Sequence, residues 1–173
     1  MLERLKSNKK IFFLVMFFTK GLALYLFWII FYDGWLINTK FVNSTLINHL
    51  VFANQVLLDW FGFTTFSNGE TIGIDGSHGV FIGDPCNGLS LFALFAGFII
   101  AFTGKIKYKI PYIALGMLFI HLLNIIRIFV LTLLAKYSPE TLDFNHKYTF
   151  TYIIYTIIFM MWMWWVKNYA EKK

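Results

Sequence analysis

Charge is thin in this chain. Of its 173 residues 14% are Asp, Glu, Lys or Arg, whereas 58% are hydrophobic, and the aromatic set holds 21 Phe, 9 Tyr and 6 Trp. A soluble domain of that length has too little interior for so much apolar surface and would display it in contiguous patches. The composition therefore excludes a soluble globule and reads as a small polytopic membrane protein. Cysteine is down to one residue, Cys86. No intrachain disulfide is possible, and an unpaired thiol in an oxidising compartment is a liability best understood as a functional group. Internal repeats and linkers are also missing, which leaves one membrane-embedded domain over residues 1–173. No cluster of Cys, His and acidic residues surrounds His78, so neither a metal nor another cofactor is expected.

What charge there is, is ordered. Ten of the fifteen basic residues fall in three groups: Arg4, Lys6, Lys9 and Lys10, then Lys105, Lys107 and Lys109, then Lys167, Lys172 and Lys173. Each group flanks an apolar run, as the positive-inside rule expects of cytoplasmic segments. Seven of the nine acids lie between them. The net charge of +6 thus reports topology, not a nucleic-acid partner. The partner it implies is the lipid bilayer.

A span needs roughly 20 mainly apolar residues to cross about 30 Å of hydrocarbon, and four stretches qualify. The first runs from about Ile11 to Tyr32, too long for a signal-peptide core and without a small-residue cleavage site, so it is expected to stay as an anchor. Lys20 inside it is expected to snorkel toward the inner interface. Asp33 to Asn43 is a polar connection. Ser44 to Phe61 carries Asn48, His49, Asn54, Gln55 and Asp59, with Leu46, Leu50, Leu57 and Phe61 at near-helical spacing; it reads as an amphipathic helix on the outer surface, flat or re-entrant. Phe63 to Gly83, with five glycines, alternating Ile and Val and the Asp75-Gly76 turn signal, reads as a short β-hairpin or irregular loop on the outer face. The second span follows from Cys86 to about Thr103, the third from about Ile110 to Ala135, and the fourth from about His146 to Val166 after an outer loop at Lys136 to Asn145. The fold class is an all-α polytopic membrane protein with about four spans and both termini cytoplasmic.

Polar residues converge at one depth. Asp84 is a candidate N-cap and Pro85 a first helical residue, so Cys86 falls in a first turn, where free N–H groups and the helix dipole favour thiolate. Asp84 opposes that charge, so a cation is needed. Arginine in a span costs at least about 2.5 kcal/mol, and Arg127 lies 17 residues beyond Ile110, roughly 25 Å up from the inner edge. His146 opens the fourth span at the same outer level. Asn124 lies one turn below Arg127, and His121, one turn deeper again, reads as a buried interhelical contact. A sulfur, an imidazole and a guanidinium at one level suit nucleophilic acyl transfer through a thioester, with His146 as acid and Arg127 holding the thiolate or oxyanion. The same residues also suit a polar packing network in a non-enzymatic assembly or scaffold protein, or, with His121, a polar pathway for a solute. Spacing alone leaves these open.

The order Cys86-Asn87-Gly88-Leu89, then Asn124-Ile125-Ile126-Arg127, then His146 resembles the pattern of the exosortase and archaeosortase family of membrane cysteine transpeptidases, over roughly residues 80–150. The short chain is similar to the compact exosortase F branch. The resemblance implies Cys86 as nucleophile, Arg127 as its cationic partner and His146 as acid or base, with Asn124, Asn87 and Gly88 supporting. It also implies a bacterial inner-membrane enzyme facing the periplasm, whose substrate is the membrane-anchored C-terminal tail of a secreted protein and whose acceptor is an amine or water.

Overall fold

A computed structural model describes residues 9–31 and 41–169. Residues 1–8, 32–40 and 170–173, which hold most of the basic head, most of the first polar connection and the end of the basic tail, lie outside the described residues. Helix α1 spans Lys9–Phe31 and α2 Phe41–Trp60. Three strands follow, β1 Thr65–Asn68, β2 Thr71–Ile74 and β3 Val80–Phe81, and then a 3-10 turn at Asp84–Cys86. Helix α3 covers Leu89–Ala101 and α4 Ile106–Tyr137; α5, Pro139–Phe144, joins α6, Phe150–Asn168, through a π-helical turn at Asn145–Thr149. The chain is an all-α polytopic membrane protein with a small sheet.

Among the described residues three helices are long and apolar enough to cross a membrane: Leu14–Phe31, Ile106–Tyr137 and the joined Pro139–Asn168. The expected second span is shorter than its apolar run suggested. Its α-helix has 13 residues, about 20 Å at 1.5 Å each. Gly88 at φ +88° separates it from the Cys86 turn, and Phe102 ends it in extended conformation. Lys109 Nζ closes that end by donating to Ile100 O at 3.0 Å and Phe102 O at 2.7 Å.

The expected outer loop at Lys136 to Asn145 is also corrected. Helix α4 runs on through Tyr137, and Pro139, whose missing N–H costs nothing in a first turn, restarts the helix at once. Only Ser138 stands between. His146 therefore lies inside a long helix, not at its beginning.

Helix α2 is helical as expected, but it is no simple surface helix. Its buried stripe is Asn43, Ile47, Leu50, Val51, Asn54 and Leu58. With Ile125 and Ile128 of α4 and Ile72, Ile74 and Ile82 of the sheet region it forms one core cluster. Asn54 Nδ2 donates to Leu50 O at 2.8 Å within its own helix, while its buried Oδ1 has no partner among the described residues. Phe52, Val56 and Trp60 leave a second apolar stripe exposed on the opposite side, which suits contact with lipid. His49 meets His121 of α4, and Phe61, just past the helix end, meets Phe129, so α2 leans across the half of α4 that carries Arg127.

The hairpin-or-loop expectation resolves into a three-stranded antiparallel sheet in the order β1-β2-β3. Asn68 pairs with Thr71 across Gly69, and Asp75-Gly76 turns the chain from β2 to β3. The Lys136 ammonium donates to Asp75 O and ties the sheet to the end of α4. A second core cluster at the other end joins Phe92, Phe95 and Ile99 of α3 with Ile120 of α4 and Ile154, Ile158 and Trp165 of α6. Helix α1 touches this end through Phe17, whose ring lies 5.6 Å from Phe98 and 5.4 Å from Phe102.

Candidate active site at the Cys86 turn

The extended backbone of Gly83 (φ −79°, ψ 173°) enters the 3-10 turn and acts as its N-cap, the place sequence assigned to Asp84. Asp84 is instead the first residue of the turn and makes no side-chain cap. Cys86 N donates to Gly83 O at 2.8 Å and Asn87 N to Asp84 O at 3.4 Å. Cys86 thus sits one turn ahead of the α-helix, not within it. A 3-10 turn this short has little dipole to offer, so any stabilisation of sulfur charge falls to neighbouring side chains.

Three asparagines hold the turn. Asn87, 1% exposed, accepts from Leu89 N at 2.8 Å through Oδ1 and donates through Nδ2 to Asn43 Oδ1 of α2, also at 2.8 Å. Asn124 of α4, likewise 1% exposed, donates from Nδ2 to Cys86 O at 2.8 Å. Gly88 permits this approach: a Cβ on it would lie 3.3 Å from Asn124 Nδ2, and its φ is one that L side chains rarely adopt. Asn87, Gly88 and Asn124, read from the sequence as supporting residues, all touch the turn. Asn43 was missed. It looked like the end of a polar connection, and the available signal was its spacing, four residues before Ile47 on the stripe that α2 buries.

His146 arrives from the π-helical turn. Its Nε2 lies 3.3 Å from Cys86 Sγ, a contact spanning 60 positions of chain. A π turn adds one residue to a helical turn and re-aims the side chains on it, and such turns recur at functional sites. Arg127 is half-buried and within electrostatic range of both Cys86 and His146. Its Nε is buried and lacks a hydrogen-bond partner among the described residues, as does Asn124 Oδ1. The Arg127 guanidinium is not paired with Asp84, because the one ion pair among the described residues joins Lys147 to Asp143 at 3.3 Å. His121 stands apart from the sulfur. Its Nε2 is 3.0 Å from His49 Nδ1, an interhelical contact as its depth suggested.

The arrangement brings a sulfur and an imidazole into contact, with a fixed positive charge beside them. It can take a proton from the thiol, hold the resulting anion and return the proton to a leaving group. The described residues contain no group of three or more His, Cys, Asp or Glu able to hold a metal.

Among known protein families, the description transmembrane exosortase matches residues 12–166. No curated protein and no solved structure gives a match. The match takes in α2, the sheet, the Cys86 turn, Arg127 and His146, and on that extent the chain belongs to the transmembrane exosortase family.

Proposed function

We propose that the protein is a cysteine transpeptidase that removes C-terminal sorting signals from secreted proteins at the periplasmic face of the bacterial inner membrane. Both termini are cytoplasmic in this reading. Its main support is the 3.3 Å approach of Cys86 Sγ to His146 Nε2 within an exosortase chain. The Cys86 proton passes to His146, and the thiolate attacks the scissile carbonyl carbon. The tetrahedral oxyanion, facing the Arg127 charge, collapses by breaking the C–N bond. His146 returns its proton to the departing amine, leaving a thioester on Cys86. An amine acceptor or water then attacks that carbonyl, giving its proton to the now neutral His146, and the sulfur leaves as thiolate. Asn124 and Asn87 keep the turn still throughout, which matters because a misplacement of about 1 Å can cost a hundredfold.

The substrate is a membrane-anchored tail: a recognition segment, a transmembrane helix and a basic end. The test is Cys86→Ala and Cys86→Ser in the native host. Both variants insert normally, tail-bearing secreted proteins accumulate uncleaved, and cleavage falls by more than about a thousandfold. In the wild type, a hydroxylamine-sensitive adduct between Cys86 and such a protein accumulates when acceptor is withheld. Normal processing by a folded Cys86→Ala protein would overturn the assignment.

A further inference from the structure

Helix α2 lies over the face of the sheet that carries Ile72 and Ile74, with Thr65 Oγ1 donating to Asp59 Oδ1 at 2.7 Å and Ser67 Oγ to Gln55 Oε1 at 3.4 Å. An unpaired strand edge is a template for another chain. Among the described residues no strand pairs beyond β3.

Register decides which backbone groups that open edge presents. Ile72 pairs with Val80 and Thr71 with Phe81, and Ile82 N donates to Glu70 O at 2.8 Å. Residues 80 and 82 therefore direct their N–H and C=O toward β2. Antiparallel ladders alternate, so Phe81 and Gly83 direct theirs away. Neither the N–H nor the C=O of Phe81 has a partner among the described residues, nor has Gly83 N–H, and Phe81 is 66% exposed. Gly83 O is the exception, because it accepts from Cys86 N. The open edge thus runs, hydrogen-bonded, straight into the turn that carries the sulfur.

We infer that the free edge of β3, through the N–H and C=O of Phe81 and the N–H of Gly83, binds the extended segment of the substrate that precedes the scissile bond, adding it as a fourth strand beside Cys86. The inference rests on the transpeptidase reading above. An extended peptide is the ligand this edge fits: strand addition takes affinity from main-chain groups and selects only alternate side chains. In either strand orientation both groups of Phe81 are used. Laid there, the peptide continues toward the nucleophile without a turn, and its carbonyl is presented beside the Cys86–His146 pair.

The probe is the tail-bearing secreted protein that accumulates uncleaved in Cys86→Ala cells, followed by pulse-chase. Phe81→Pro removes the ring and, of the backbone groups, only an outward N–H, a position where edge strands tolerate proline, and is expected to slow cleavage about tenfold, the effect of one net hydrogen bond. Phe81→Ala keeps the N–H and stays within about threefold of wild type. Alkylation of Cys86 by a maleimide, which needs no substrate, proceeds at the wild-type rate in both. Should Phe81→Pro fail to accumulate, a proline scan of the tail ahead of its cleavage site decides: pairing predicts loss at alternate positions, with the period of two of a strand. A folded Phe81→Pro protein that cleaves like wild type, or a tail that tolerates proline at every position, overturns the docking edge. If instead Cys86→Ala leaves processing intact, it is the transpeptidase reading that fails.

Discussion

At the scale of single residues, the site depends on how a short turn is held, not on the turn's own rigidity. Arg127 was visible in the sequence because charge is expensive in an apolar run, Asn124 because it lies one turn from Arg127, Cys86 because it is the one thiol, and His146 because it opens an apolar run. Asn43 was not, since an asparagine beside a polar connection carries no such signal, and only its bond to Asn87 at 2.8 Å gives it a role. Gly88 was visible as part of a motif, yet its physical reason is the left-handed backbone at φ +88° and the nearness of Asn124. Gly88→Ala is therefore expected to cost about 1–2 kcal/mol from backbone conformation alone, read as a lowered thermal unfolding midpoint in detergent. It should also reduce tail cleavage, because Asn124 must give way and with it the bond to Cys86 O. An unchanged midpoint and rate would show that the turn tolerates a Cβ there.

At the scale of elements, helical periodicity found the helices but misjudged their ends and their faces. Helix α2 was read as amphipathic, and it does have a polar band. What periodicity could not reveal is that its buried stripe meets isoleucines from α4 and the sheet while Phe52, Val56 and Trp60 face outward. The Lys136 to Asn145 segment looked like a loop by its polarity, but Pro139 starts a new helix there, and the π turn at Asn145–Thr149 has no local sequence mark. One helix contact is testable directly. Gly116 of α4 faces the ring of Phe95 of α3, and a Cβ at that position would overlap it. Gly116→Ala should force the ring aside and destabilise the protein by about 1–3 kcal/mol, while Gly97→Ala, inside α3 with nothing within 4 Å of its Cβ, should leave the unfolding midpoint unchanged or raise it slightly, since alanine suits a helix interior better than glycine.

At the scale of the whole molecule, the proposed function requires the Cys86 turn to face the periplasm. Because Cys86 is the one thiol in the chain, the test needs no engineered background: a membrane-impermeant maleimide should label wild-type protein in spheroplasts and leave Cys86→Ser unlabelled. A single cysteine placed in the tail by Lys173→Cys, in the Cys86→Ser background, should react only after lysis. The reverse pattern would invert the topology and remove the proposed substrate from reach. Membrane residence, the all-α class and the rough positions of the apolar runs were decided by the sequence alone, because burying apolar surface and excluding charge from lipid leave a record in composition and in spacing along one helix. The contact of Cys86 with His146, the asparagine clamp that includes Asn43, and the open edge of β3 leading to the sulfur were decided only by tertiary structure. Each depends on how elements distant in sequence are set against one another, and no local pattern of residues encodes a distance of 3.3 Å across 60 positions.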